Sequence, residues 1–310
     1  MSEPEGRPES RQSPPPERSF GPVADAYDRA RPSYPEDAVS WLTGAGSSVI
    51  LELGAGTGKL TELLHDSPSG VSYGHDILAT DPLPEMLSRL AERVPVKHVA
   101  ATAEQIPLRS RSVDLVVCGQ SFHWFDHDRA LPEIARVLRP GGVLALAFNT
   151  YDVQIPWVRK LKELISPQTG TQDEAAMPLM ATPYFGFVEK KQFRFWQTHT
   201  AASLADLTRS VSHVATMKEH DRARVLAKVD ELYAGYGRGH DGMQLAYVTR
   251  CYRAVVRHQE LPPEPPPPTR RAVATEHTRE HTGEDPGVEH TGTARRTPPE
   301  DPGTQLIDFR

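Results

Sequence analysis

The chain has 310 residues, of which 38% are hydrophobic and 25% charged, and its formal net charge is −6. This length and hydrophobic content can build the core of one large domain or two small ones. The acidic balance disfavours nucleic acid and anionic membranes as partners, and two cysteines without CxxC spacing indicate neither a disulfide framework nor a zinc site.

Both ends of the chain differ in composition from its centre. Residues 1–18 are rich in Pro, Glu, Ser and Arg, and residues 259–310 in Pro, Thr, Glu, Gly and His. Such segments carry too few apolar side chains to offset the entropy of ordering, so we predict two disordered tails around one domain at 19–258. The acidic start lacks the features of a secretion signal, and no apolar run reaches about 18 residues, so we expect a cytoplasmic protein.

Between the tails, short apolar runs alternate with amphipathic segments. SSVILELG leads through a glycine-rich turn into KLTELLHD, whose leucines have helical spacing, and HDILATDP leads into LPEMLSRLAERV. Two further apolar runs, VDLVVCGQ and GGVLALAFN, flank an amphipathic helix that ends at its Pro and Gly residues. The alternation predicts an open, mostly parallel α/β sheet.

Beyond residue 150 the pattern is less regular. WVRKLKELI and AASLADLTRSV favour helices, whereas QFRFWQTHT and LAYVTRCYRAVV favour strands. We therefore expect the sheet to be completed by strands from the second half of the chain.

The turn in LELGAGTGKL, residues 51–60, is compared with three nucleotide-binding loops. A phosphate-binding P-loop needs a glycine where this chain has Leu53 and a hydroxyl where it has Leu60. The loop of an NAD-dependent dehydrogenase needs glycine or alanine where the chain has Lys59. The glycines instead follow Glu52 in the pattern ExGxGxG, and a simple β-to-α turn is the remaining alternative.

Four segments, in order, resemble the class I S-adenosylmethionine-dependent methyltransferases, particularly their trans-aconitate methyltransferase-like branch (methyltransferase type 11). They are LELGAGTGKLTELL, ATDPLPEML, ATAEQIPLRSRSVDLVVCGQSFHWFD and IARVLRPGGVLALAFN. The resemblance runs from Phe20 to about Val256. It implies a Rossmann-like, mostly parallel seven-stranded sheet with helices on both faces. It also implies S-adenosylmethionine as cofactor, S-adenosylhomocysteine as product, and no metal ion.

The cofactor contains no phosphate, so its loop needs close approach of the backbone, which Gly54, Gly56 and Gly58 allow. Asp81 lies at the end of the second predicted strand, where a carboxylate binds the ribose diol in dinucleotide-binding domains; helix N-capping is its alternative role. The resemblance implies the other cofactor contacts: Glu52 with the methionine amine, Thr57 or Gln120 with the carboxylate, Thr102 and Ala103 beside adenine, and Pro82, with Met86 as a further candidate, on its face.

His123, in QSFHWFD after the fourth predicted strand, is the candidate general base because the pKa of histidine lies near neutrality. Its alternative role is to line the pocket with Trp124, since a carboxylate acceptor needs no base. The leading segment, VADAYDRARPSYP, contains Tyr27, Arg31 and Tyr34, which the resemblance places in a lid over the cofactor, with Tyr27 and Arg31 as candidate cofactor contacts. Arg31 can bind a carboxylate through two nitrogens, and a helix packed on the sheet edge is the alternative for this segment.

These features predict a methyltransferase for a small-molecule acceptor, with a carboxylic acid as one candidate. A methyltransferase acting on RNA or protein is an alternative, although it would favour a basic face or an added domain. A non-catalytic S-adenosylmethionine-binding protein is another, although it would typically lack the loop glycines or the ribose carboxylate. We expect no nucleic acid or membrane partner, and we expect a monomer.

Overall fold

The computed structural model describes residues 31–45, 48–67, 74–167, 172–236 and 242–258. Tyr27 and both predicted tails lie outside these described residues. Within them, no helix combines the length and apolar character needed to cross a membrane.

Seven strands form one sheet, with bounds Val49–Leu53 (β1), Asp76–Asp81 (β2), Lys97–Ala100 (β3), Val113–Gly119 (β4), Leu138–Tyr151 (β5), Phe185–His199 (β6) and Met243–Val256 (β7). Their order in the sheet is β3-β2-β1-β4-β5-β7-β6. Strands β1 to β5 run parallel, and β7 runs antiparallel to β5 and β6. The strand order reverses between β1 and β4, and open α/β sheets bind ligands at the carboxyl edge of such a switch point. The structure confirms the predicted seven-stranded, mostly parallel sheet.

Helices connect the strands and cover both faces of the sheet. In the described part of the chain their bounds are Glu36–Thr43 (α1), Lys59–Asp66 (α2), Pro84–Arg93 (α3), His127–Val137 (α4), Pro156–Ile165 (α5), Gln172–Ala181 (α6), Ala201–Ser210 (α7), Ser212–Ala215 (α8) and Glu219–Tyr236 (α9), with a 3-10 turn at Phe122–Trp124. The helices predicted around residues 60, 90, 160 and 205 are confirmed as α2, α3, α5 and α7.

Successive residues of the central strands enter different apolar layers. In β4, Val116 and Cys118 pack in the cluster that includes α4 and α6, whereas Leu115 and Val117 pack in the cluster that includes α1 and α2. Burial on both faces explains why these strands are almost continuous apolar runs. Cys118 and Cys251 are buried free thiols. A separate cluster packs α5, α7, α8 and α9 against the first residues of β7.

Candidate functional site

The glycine turn after β1 has a left-handed backbone that glycine adopts at little cost. The φ angles are 68° at Gly54, 57° at Gly56 and 85° at Gly58. A Cβ atom at Gly54 would lie 2.4 Å from Cβ of Ser121, and one at Gly58 would lie 2.9 Å from Cγ of Leu90. A Cβ at Gly56 would meet no atom within 4 Å. Gly54 and Gly58 therefore serve close packing, whereas Gly56 faces open space at the carboxyl edge.

Asp81 fixes this turn from the end of β2. Its Oδ2 accepts a hydrogen bond from the Gly56 amide at 2.9 Å, and its Oδ1 accepts one from the Leu83 amide at 2.9 Å. Burial raises the pKa of Asp81, while these two hydrogen bonds act in the opposite direction. Leu83 occupies the N-cap position of α3, so the alternative role of Asp81 as N-cap is wrong. Each carboxylate oxygen has a second lone pair for another donor.

Glu52 lies under the turn and is only 1% exposed. Its Oε2 accepts a hydrogen bond from Oγ1 of Thr61 in α2 at 2.7 Å. Burial raises the pKa of Glu52 to about 8; the Thr61 hydrogen bond opposes this shift and the charge of Asp81 adds to it. The carboxyl group is therefore mostly protonated at neutral pH. Its expected contact with a methionine amine remains a prediction. The expected contact of Thr57, which is buried in the turn, with the methionine carboxylate also remains a prediction.

The candidate adenine-binding residues follow β2 and β3. Pro82 and Thr102 are exposed, whereas Ala103 and Met86 are buried. The burial of Met86, at 4% exposure, agrees with the core role that its helical spacing also allowed. Glu104 accepts a hydrogen bond from the Asp126 amide at 2.9 Å, which joins the loop after β3 to the start of α4.

The segment after β4 joins three strand ends. Gln120 has a positive φ of 59°, which is uncommon for a residue other than glycine, and its Nε2 donates to the carbonyl oxygen of Asn149 at 3.0 Å. One of the two donors on the side-chain nitrogen of Gln120 is thus directed at β5. Ser121 donates to the carbonyl oxygen of Leu53 at 2.6 Å, so it links β4 to β1. Sequence reasoning missed Ser121, because nothing in its neighbourhood indicates which strand it contacts.

His123 lies in the 3-10 turn at the same edge. Its ring centroid is 4.7 Å from that of Trp124 and 6.2 Å from that of Phe148. One side of His123 reaches solvent, but desolvation by the surrounding atoms, followed by the positive charge of Arg31, lowers its pKa to about 4. The imidazole is therefore neutral at neutral pH, which is the protonation state of both a base and a pocket-lining group.

Arg31 reaches this edge from the leading segment. Its Nη2 donates to the carbonyl oxygen of Ser210 at the end of α7 at 3.1 Å. The ammonium group of Lys59 donates to the Arg31 carbonyl oxygen at 3.0 Å, which fixes the backbone beside the glycine turn. Arg31 therefore links the start of α2, next to the glycine turn, to the end of α7.

The residues after Arg31 continue along the edge. The carbonyl oxygen of Ser33 accepts a hydrogen bond from Nδ2 of Asn149 at 2.9 Å. The hydroxyl of Tyr34 lies 2.8 Å from the position of a Cβ at Gly119, so the absence of a side chain at Gly119 makes room for Tyr34. Residues 31–34 thus cross the carboxyl ends of β4 and β5, and α1 then packs against α2, β6 and β7. That this segment forms a lid over the cofactor remains a prediction.

The residues at this edge fit a cofactor that has a ribose and an amino-acid end. Gly56 leaves room beside the backbone, and Asp81 supplies acceptors at the end of the next strand. Among the described residues, no three His, Cys, Asp or Glu side chains are close enough to share a metal ion.

Comparison with known proteins agrees with this geometry. A methyltransferase domain family matches residues 51–146, which include the glycine turn, Asp81 and His123. An uncharacterized methyltransferase of Mycobacterium tuberculosis is 41% identical over 242 residues, which are 77% of this chain and 96% of the relative. A malonyl-[acyl-carrier protein] O-methyltransferase of Methylococcus capsulatus is 37% identical over 144 residues, 43% of this chain and 50% of that protein. The structure of a candidate type II methyltransferase from Anaeromyxobacter dehalogenans superposes with a TM-score of 0.53 at 22% identity, over 73% of this chain and 97% of the other.

Proposed function

Because the chain belongs to the class I S-adenosylmethionine-dependent methyltransferases, we propose that it methylates a carboxylate oxygen of a small organic acid. The observation that carries this proposal is the position of Arg31, whose guanidinium group is held at the carboxyl edge by Ser210. A guanidinium group binds a carboxylate in a planar, bidentate geometry. The malonyl-[acyl-carrier protein] O-methyltransferase among the relatives adds support, because a malonyl group attached to a carrier has one free carboxylate whose oxygen can be methylated.

The cofactor half of the site is proposed to lie along β1 and β2. When bound, S-adenosylmethionine supplies an electrophilic methyl group on a sulfonium sulfur. The backbone beside Gly56 has the room to approach this cofactor, and Asp81 has lone pairs for the ribose hydroxyls. The further proposed contacts are Glu52, Gly54, Thr57, Gly58 and Gln120 around the amino-acid end, and Pro82, Thr102 and Ala103 around adenine.

A carboxylic acid suits the chemistry of these residues. It is ionised at neutral pH and is already a nucleophile, so no protein group has to remove a proton. The contribution of the protein is then to hold the reacting groups in position, which can account for much of the rate enhancement. In this proposal Arg31 orients the acid, and His123 lines the pocket in its neutral form.

Labelling with S-adenosylmethionine that carries an isotope in its methyl group tests the proposed function. The purified protein is incubated with fractions of a metabolite extract and with a panel of carboxylic acids, with Gly56→Val protein as the inactive control. We expect a labelled product that releases methanol on mild alkaline hydrolysis, as a methyl ester does. Label that survives this treatment would indicate an ether or an amine and would contradict the proposal, as would the absence of any labelled product.

A further inference from the structure

Two tyrosines face each other at the carboxyl edge, and neither lies in the four segments that carry the methyltransferase resemblance. Tyr151 at the end of β5 and Tyr247 near the start of β7 are register partners, with ring centroids 5.3 Å apart. We call these residues the tyrosine pair. Phe195 of β6 stacks on the other side of Tyr247, also at 5.3 Å, so an aromatic row crosses three strands.

The hydroxyl of Tyr247 is a buried donor with no acceptor among the described residues. The residue is 2% exposed, and its oxygen makes no hydrogen bond within the described part of the chain. A buried hydroxyl without a partner costs about 1–3 kcal/mol and is uncommon in native proteins. A phenylalanine would fill the same volume without this cost, so the hydroxyl points to a ligand.

The leading segment, which contains Arg31, meets β5 and β7 next to the tyrosine pair. On the same strands, Oγ1 of Thr249 donates a hydrogen bond to Oδ1 of Asn149 at 2.6 Å, and Nδ2 of Asn149 donates one to the carbonyl oxygen of Ser33. Tyr151 lies two residues after Asn149 on β5, Tyr247 lies two residues before Thr249 on β7, and Arg31 lies two residues before Ser33. The Arg31 charge accordingly acts on both phenols, opposing the rise of their pKa values.

Both phenols keep their protons at neutral pH. Burial raises the pKa of Tyr151 to about 12 and that of Tyr247 well above its ordinary value. The neighbouring carboxylate, Asp152, is paired with Arg194, its Oδ2 lying 3.2 Å from Nε. The tyrosine pair and Arg31 therefore present two O–H donors and one cation.

We propose that the tyrosine pair and Arg31 bind the carboxylate of the methyl acceptor, with Tyr247 and Arg31 donating to the oxygen that does not react. This assignment rests on the proposed function and adds Tyr151 and Tyr247 as residues that determine specificity for an acid. An amide or ester of the same shape carries no negative charge to pair with Arg31, so it should bind more weakly than the acid.

The test measures binding of three acids, malonate, succinate and benzoate, by calorimetry in the presence of saturating S-adenosylhomocysteine. The corresponding amides are the neutral probes. In Tyr247→Phe we expect the affinity for the bound acid to fall about tenfold to a hundredfold, the range for a hydrogen bond to a charged group. The melting temperature should stay equal or rise, because the buried hydroxyl is removed. Tyr151→Phe should lower the affinity for the same acid without changing the affinity for S-adenosylhomocysteine.

Tyr184→Phe is the matched control, because Tyr184 precedes β6 at the opposite edge, where its carbonyl accepts a hydrogen bond from the Arg257 amide. Unchanged acid affinity in both Tyr247→Phe and Tyr151→Phe would overturn the assignment, as would equal binding of acids and amides or no acid binding by the wild type. Failure of the proposed function has a different signature. In that case the labelling experiment yields no methyl ester, whether or not the protein binds an acid.

Discussion

The two ends of the carboxyl edge are built from different parts of the chain. At the β1 and β2 end the surface is backbone: three glycines with positive φ, fixed by the hydrogen bond from the Gly56 amide to Asp81. At the β5 and β7 end the surface consists of side chains: the tyrosine pair, set on a regular antiparallel ladder, and Arg31 from the leading segment. A pocket made of backbone tolerates few substitutions, whereas a pocket made of side chains can change its ligand without changing the fold.

This difference fits a division of labour in which one end holds an invariant cofactor and the other sets the identity of the acceptor. It predicts that substitutions at the backbone end disturb cofactor binding most, and that substitutions towards the β5 end have smaller effects on it. The predictions below test this order from the largest expected effect to the smallest.

Gly56→Val should abolish binding of S-adenosylmethionine. The valine side chain would enter the open space beside the turn, and a β-branched residue is strained at a φ of 57°. Calorimetric titration of the folded variant measures the affinity. Gly141→Val is the matched control, because Gly141 also has a positive φ, 81°, and open space around its Cβ position but lies at the start of β5 on the opposite edge. Near-normal affinity in Gly56→Val would show that the loop is only a turn.

Asp81→Ala should lower the affinity for S-adenosylmethionine about tenfold to a hundredfold, because about 1.5–3 kcal/mol of hydrogen bonding to a charged group is lost. The melting temperature should also fall, since the amides of Gly56 and Leu83 lose their acceptor. Asp81→Asn keeps one acceptor oxygen and should have a milder effect on both quantities. A lower melting temperature with unchanged affinity would mean that Asp81 only supports the turn.

Glu52→Gln should make the stability of the protein less dependent on pH. The pKa of Glu52 rises from 4.5 to about 8 on folding, so its favourable contribution is complete below pH 4.5 and is lost as the pH rises through 8. Glutamine keeps an acceptor for Thr61 and has no proton to lose. At pH 8 we expect the variant to be more stable than the wild type by about 1 kcal/mol or more, a gain of about 2–4 °C in a thermal melt. Equal melting temperatures of the two proteins across this pH range would contradict a buried, protonated Glu52.

The contrast between the two ends also explains what the sequence could predict. Gly54, Gly56, Gly58 and Asp81 are close in sequence to the strands they follow, so local pattern placed them at the sheet edge correctly. The N-cap alternative for Asp81 is wrong because its oxygens accept hydrogen bonds from the Gly56 and Leu83 amides. The bond to Gly56 depends on the distance between the loops after β1 and β2, which local sequence does not reveal.

The acceptor end could not be derived in the same way. Tyr151 and Tyr247 are 96 positions apart, and their contact depends on the register of an antiparallel pair, which a shift of one residue would destroy. The sequence did not indicate Ser121 and Thr61 for a similar reason. Ser121 donates to a backbone oxygen of β1, and Thr61 donates to the side chain of Glu52, so each contact joins two separate elements. Sequence reasoning therefore found the backbone half of the site together with Arg31, and the structure added the tyrosine pair.

His123→Gln should have the smallest effect, a change in rate of less than about tenfold when the acceptor is a carboxylic acid. Glutamine keeps polarity and approximate reach, and a carboxylate needs no base. A hydroxyl or amine acceptor would instead make the same substitution cost about 10²–10⁴ in rate. Steady-state kinetics of the wild type and the variant measure the difference, with His98→Gln on the exposed face of β3 as the control.

The pH profile separates the two roles of His123 only together with the variant. Since the pKa of His123 is lowered to about 4, catalysis by this base would make the wild-type rate rise with pH through about 4. Ionisation of a carboxylic acid acceptor produces a rise in the same range, because carboxyl groups also titrate near pH 4. If the acid is the cause, His123→Gln retains the rise; if the imidazole is the cause, the variant loses both the rise and most of the rate. A large loss of rate with a carboxylic acid, at unchanged affinity for S-adenosylmethionine, would show that His123 takes a direct part at the acceptor end and that side chains there do more than position the substrate.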